Sequence, residues 1–274
     1  MEDTSSPSDL RRLFFGAEVI ANWPQHLPKA RILKEEVRHI TLAFLGSCPL
    51  APLSQLLPFF PKPPFVIGPA GIADRLLFLP SSSPRVAATH VIWQKDVDVL
   101  GAYRKEMINW LSSHEHTLDK RSFLPHITLA RAPFDKEEWE NSFHPFAFYL
   151  KGLHLYESLG NLNYESLWNI SWLEPFEELD HTADIAFAIR GETVQQIHYN
   201  AQIALSVHCP ELIKYFTSEL EDSLDKIIIS LNALITRMDI EEGSPFKAVS
   251  FHGKLKLFSE GSYHFFTWEM IVDV

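Results

Sequence analysis

The sequence predicts an α+β chain in two unequal parts, a larger unit over residues 1–173 and a smaller one over 174–274. Three observations carry this. Short apolar, β-branched or aromatic segments alternate with segments of helical spacing. The string His39-Ile40-Thr41-Leu42-Ala43 returns unchanged as His126-Ile127-Thr128-Leu129-Ala130. An acidic stretch at 174–180 containing Pro175 then interrupts the pattern, which restarts beyond it.

Residues 1–9 read as a frayed tail. Residues 12–19 are apolar and aromatic and predict a first buried strand. Residues 38–46 hold the first copy of the repeat, with Gly46 expected to end the strand. A turn over 49–54 leads to a short helical candidate at 53–60. Residues 65–71 and 76–80 predict two strands around a turn, and 87–93 a further strand of residues that sheets favour. Over 98–114, Val99, Leu100, Tyr103, Met107, Trp110 and Leu111 recur at helical spacing and predict an amphipathic helix. Residues 126–131 form the second repeat strand, stopped by Pro133. A short capped helix at 135–141 and strands at 146–156 and 164–170 complete the larger unit.

In the smaller unit, 185–189 predict a strand closed by Gly191. Thr193 caps a helix running to about Val207 with Ile197, Ala201, Ala204 and Leu205 on one face. A second helix spans 222–238. Residues 247–258 and 265–274 predict two strands joined by a turn around Gly261-Ser262.

Composition narrows the function classes. Hydrophobic residues make up 46% and charged residues 22%, a globular balance with material for a core. The formal net charge of −11 argues against a broad electrostatic grip on duplex nucleic acid and leaves room only for a local basic patch. Two cysteines far apart, Cys48 and Cys209, suggest a reducing compartment, with the cytoplasm as the expectation. The polar, acidic opening is unlike a signal peptide, and no run of about 18 apolar residues predicts a membrane span.

The repeat points to chemistry. In a strand, residues i and i+2 share a face. His39 and Thr41 therefore project together, as do His126 and Thr128, while Ile40, Leu42, Ile127 and Leu129 turn to the core. Two such strands facing each other across a cleft bring two imidazoles to one phosphate. A neutral imidazole takes a proton from water while a protonated one gives a proton to the leaving oxygen. The hydroxyls of Thr41 and Thr128 can donate to non-bridging oxygens, and Arg131 adds charge-assisted contact. This scheme needs no metal. His90, His114, His116, His144 and His154 read as ordinary surface or core histidines.

Two H-x-T motifs in this order, followed by Arg131, resemble the 2H phosphoesterase superfamily. The details are most similar to RNA 2′,3′-cyclic phosphodiesterases, also called 2′-5′ RNA ligase-like proteins. The opening Arg12-Leu-Phe-Phe and the later Leu155-Tyr-Glu-Ser158 add to the resemblance, which covers about residues 10–172. It implies a two-lobed fold with pseudo-two-fold duplicated sheets around a cleft. It also implies opening of a 2′,3′-cyclic phosphate on an RNA 3′ end to a 2′-phosphate, with His39 and His126 catalytic and no cofactor.

In the smaller unit, Asp180-His-Thr-Ala-Asp184 precedes a strand. Two carboxylates four apart, with Asp273 in the last strand, suit a hard divalent cation such as Ca²⁺ or Mg²⁺, although acidic turn residues are more often solvated. The stretch resembles the opening of archeases. Gly191 to Leu205, Lys247 to His252 and Ile271-Val-Asp-Val274 match later parts of that family. The resemblance implies metal binding at Asp184 and Asp273 and a partner, an RtcB-type RNA ligase. The module is about thirty residues shorter than an archease between its first helix and the Lys247 strand. Two other readings stand beside this one: a non-catalytic accessory protein that binds RNA ends for ligation, and a phosphodiesterase acting on a small cyclic nucleotide.

Overall fold

A computed structural model describes residues 10–94, 99–116, 118, 122–182, 184–260 and 263–274. The expected tail at 1–9, Asp98 at the expected helix start, Ala183 of the acidic motif and the Gly261-Ser262 turn lie outside the described residues.

The larger unit contains β1 (Leu10–Ala21), β2 (Arg31–Ile32), β3 (His39–Pro49), α1 (Leu50–Leu56), β4 (Ala70–Leu79), β5 (Val86–Trp93), α2 (Val99–Ser113), β6 (His126–Arg131), α3 (Lys136–Ser142), β7 (Phe146–Gly160) and β8 (Asn163–Ser171). Among the described residues these strands make one eight-stranded sheet in the order β1-β3-β6-β5-β4-β7-β8, with β2 on β6. β1 also pairs with β7, so the path β1-β3-β6-β5-β4-β7 closes on itself. The duplicated sheets expected as separate lobes are thus continuous. Their joints are narrow: β3 meets β6 only at Ile40 opposite Ile127, and β4 meets β7 over Ala70–Ala73.

β1 is paired on both sides and is buried from Leu13 to Ala17, which explains its unbroken apolar run. Gly46 does not end β3. It sits at φ +70 beside a register shift between Leu13 and Phe14, and the strand continues to Pro49. A left-handed glycine at a bulge bends a strand without terminating it. The turn expected between the strands at 65–71 and 76–80 does not form: β4 runs through it from Ala70 to Leu79. A Cβ on Gly71 would lie 2.7 Å from the Ile92 carbonyl oxygen and 2.9 Å from the Phe148 ring, so this glycine answers close packing within the strand. Residues 65–69 contribute only an isolated bridge, Ile67 to Leu173. The α2 helix follows its periodicity, with Leu100, Tyr103, Met107 and Leu111 fully buried. Asp135 caps α3 by accepting from the Glu138 N–H at 3.0 Å.

The smaller unit contains β9 (Phe176–Leu179), β10 (Ile185–Gly191), α4 (Val194–His208), α5 (Leu224–Glu241), β11 (Ala248–Val249), β12 (Lys256–Glu260) and β13 (Tyr263–Asp273). Its sheet runs β11-β13-β10-β9, with β12 on β13. The acidic stretch read as a boundary forms the edge strand β9. Its exposed Glu177 and Glu178 meet Arg190 and His208, a common way of blunting a sheet edge. The strand expected over 247–258 is broken in two, with Gly253 between the pieces at φ +79.

α4 is buried on every side from Ile197 to Ser206. Its one-sided apolar pattern understates this because α4 shares a core with both sheets: Ala70 and Ile72 of β4 and Ala147 of β7 join Ile197, Ala201 and Ala204. Glu192 ties the units further by accepting from the backbone N–H groups of Val66 at 2.6 Å and Ile67 at 3.3 Å. Among the described residues, no helix is long and apolar enough to cross a membrane.

Candidate active site

The site begins with one backbone pairing. Ile40 of β3 lies directly opposite Ile127 of β6 in an antiparallel register. These are the second residues of the two copies of the repeat, so the pairing relates the copies by a local two-fold. His39 falls beside Thr128, and Thr41 beside His126. Ile40, Leu42, Ile127 and Leu129 are at most 2% exposed and fill the core. The opposite face carries both imidazoles and both hydroxyls into a cleft of about 870 Å³.

The two histidines are held alike. His39 Nδ1 lies 2.7 Å from the Val37 carbonyl oxygen, and His126 Nδ1 lies 2.8 Å from that of Leu124. A carbonyl only accepts, so each Nδ1 carries the hydrogen. That leaves each Nε2 as the working nitrogen, an acceptor when the ring is neutral and a donor when it is charged.

Their surroundings differ. His39 is 8% exposed and packs against Phe14, Tyr156 and Tyr164, with ring centroids 4.8, 5.3 and 5.3 Å away. Burial pushes its imidazole down to about 4; the Val37 carbonyl opposes the shift, and the charges of His126, Arg131 and His154 add to it. Gly16, opposite Thr41, makes room for the ring: a Cβ there would lie 3.1 Å from His39 Cδ2.

Thr41, Thr128 and Arg131 line the same cleft. So do Arg12, Arg31 and Arg104, which the sequence reading missed. No Asp or Glu lines it among the described residues, so a chain of net charge −11 keeps a locally basic cleft. Arg104 is placed by α2, from which its Nε donates to the Leu42 carbonyl at 2.8 Å, and its guanidinium lies 4.7 Å from the Phe123 ring centre. Charged residues on strands and on a helix face look like ordinary solvated positions, and only the strand register and the packing of α2 show that these converge.

Two histidines read as ordinary also stand near the site. His90 is the cross-strand partner of His126, and its Nδ1 is 2.6 Å from Asp74 Oδ1. Glu18 is the partner of His39, and its Oε2 is 3.2 Å from His154 Nε2. That bond holds the Glu18 carboxyl below the usual carboxylate range. Each repeat histidine therefore has a carboxylate–histidine pair beside it.

The carboxylates of the smaller unit lie elsewhere. Ile185 pairs with Val272, which brings Asp184 and Asp273 to the same end of β10 and β13. Asp184 approaches His181 at 3.7 Å, and Asp273 accepts from the Ser250 hydroxyl at 3.1 Å. Among the described residues no three His, Cys, Asp or Glu side chains group to hold a metal.

No family model matches the chain. A curated RNA 2′,3′-cyclic phosphodiesterase of Geobacillus stearothermophilus is 35% identical over 123 residues, covering 40% of this chain. That match supports the 2H phosphoesterase resemblance. The chain spans 37% of the length of that relative. Among solved structures, E. coli LigT complexed with 3′-AMP is similar at 20% identity, with a TM-score of 0.45 over 60% of this chain and 98% of that one. A Thermus thermophilus protein, TT0787, is similar at 19% identity, with a TM-score of 0.41 over 58% of this chain and 97% of that one.

Proposed function

We propose that the chain hydrolyses 2′,3′-cyclic phosphates at RNA 3′ ends to 2′-phosphates through His39 and His126. The observation that carries this is the Ile40–Ile127 pairing, which sets two equivalently held imidazoles and two hydroxyls around one basic space. A phosphate placed there receives donors from Thr41, Thr128 and Arg131, so charge building on its non-bridging oxygens is met as it forms. One Nε2 takes a proton from the attacking water. The other gives a proton to the departing 3′ oxygen, and the 2′ ester bond is kept. The name of the Geobacillus relative, an RNA 2′,3′-cyclic phosphodiesterase, supports this substrate. The buried free thiols of Cys48 and Cys209 suit a reducing, cytoplasmic setting.

The test is incubation of an oligoribonucleotide ending in a 2′,3′-cyclic phosphate with the protein in EDTA. The expected product is the 2′-phosphate, at a rate that EDTA leaves unchanged. Loss of turnover in EDTA would refute the metal-free scheme, and a 3′-phosphate product would refute the assigned leaving group.

The proposal for residues 174–274 is a binding role toward an RtcB-type RNA ligase, supported by the archease-like order of Asp180–Asp184, the strand-Gly191-helix unit and the final strand. Mixing the protein with such a ligase tests it. A faster joining of 3′-phosphate ends is expected, and an unchanged ligase would refute it.

A further inference from the structure

Arg31 and Arg131 are direct partners in the antiparallel pairing of β2 with β6. Like charges directly opposite each other on neighbouring strands repel. Both residues are exposed and both line the cleft, which holds no carboxylate among the described residues to compensate them. Such a pair is stabilised by an anion set between the two guanidiniums, and the planar fork of arginine suits a phosphate.

The position of the pair says which phosphate. Arg131 is three residues beyond Thr128 on β6, about 10 Å along an extended strand. With the terminal phosphate held by Thr41, Thr128 and Arg131, Arg31 stands on the next strand, about one nucleotide step from the threonines and within reach of its long side chain. We propose that Arg31, opposite Arg131, holds the phosphodiester on the 5′ side of the terminal nucleotide. The cleft then selects the end of an RNA strand over a cyclic mononucleotide. This rests on the cyclic-phosphate reading of the cleft, which it deepens. Arg31 is a substrate-binding residue in this scheme, outside the proton transfers.

The test separates the second phosphate from everything else in the substrate. Binding of uridine 3′-monophosphate and uridine 3′,5′-bisphosphate, which differ by that one group, is measured by calorimetry for the full chain and for Arg31→Gln. The intact protein is expected to bind the bisphosphate about tenfold more tightly, an advantage that shrinks as added salt screens the extra charge–charge contact. Arg31→Gln is expected to remove most of that ratio. Equal binding of the two nucleotides by the intact protein, or an undiminished ratio in Arg31→Gln, would overturn the subsite. Turnover is assayed separately. Failure to open a cyclic phosphate, with the Arg31-dependent ratio present, would overturn the phosphodiesterase reading and leave the subsite standing.

Discussion

Ile40 and Ile127 face each other across two antiparallel strands, and this single pairing sets the geometry of the cleft. Because they are the same residue of a repeated string, the pairing places His39 next to Thr128 and His126 next to Thr41. Neither isoleucine touches the reaction. Both are fully buried, and their burial turns the four polar neighbours outward.

The hydroxyls should matter in the transition state more than in binding. Thr41→Val and Thr128→Val keep the volume and remove one donor each. A hydrogen bond to a charged group is worth about 1.5–3 kcal/mol, so each change should lower kcat about 10- to 100-fold. Steady-state kinetics on a cyclic-phosphate dinucleotide reads this. A rise in KM alone would mean that the hydroxyls hold the ground state and the transition state equally.

Gly16→Ala tests how rigidly His39 is held. The new Cβ would stand 3.1 Å from His39 Cδ2 and 3.3 Å from the Tyr156 ring. His39 cannot retreat easily, since three aromatic rings and the Val37 carbonyl fix it. A misplacement of a fraction of an ångström should cut kcat by about tenfold or more while leaving the thermal midpoint within a few degrees. Full activity would show that the ring has slack.

Acidity should reveal the buried imidazole. With its pKa pushed down to about 4, His39 stays neutral until strongly acid conditions. The acid limb of kcat/KM should therefore fall near pH 4 instead of near the ordinary histidine value. Removing one aromatic neighbour by Tyr164→Ala admits water and should move that limb upward. A limb near 6.5 in the unaltered protein would contradict the burial argument.

The same sign governs stability through a second histidine. His198 is fully buried; its Nδ1 accepts from the Glu221 N–H, and burial pushes its pKa to about 4. The unfolded chain binds a proton near 6.5, so between about pH 6.5 and 4 it holds more protons than the folded one. Stability is thus intact above 6.5 and falls as pH drops toward 4. From pH 7 to 5 the loss from this one group is about 2 kcal/mol. Urea unfolding at the two pH values should show His198→Gln losing about that much less than the intact chain. An equal loss would place the acid sensitivity elsewhere.

The sequence made some of this legible and hid the rest for identifiable reasons. The repeat, its face alternation, the α2 periodicity and the Asp135 and Thr193 caps depend on local rules, and they read correctly. Gly46 misled because a glycine at a bulge looks like a glycine that ends a strand. The inward-facing Ala70, Ile72 and Ala147 gave no sign that α4 covers them, since that depends on a partner over 45 residues away in the chain. Arg12, Arg31 and Arg104 were hidden for the same reason: convergence on a cleft depends on strand register for the first two and on the docking of α2 for the third. His90 and His154 stand beside the repeat histidines only because β5 and β7 run where they do.

The central claim is that His39 and His126 act as one unit on one phosphate. A double-mutant cycle of His39→Ala, His126→Ala and the pair, assayed for cyclic-phosphate opening, tests it most directly. Each single change should cost about 10²- to 10⁴-fold, and the double variant should be little slower than the worse single one, because a relay missing either member is already broken. Near-full turnover in either single variant, or losses that multiply in the pair, would contradict it.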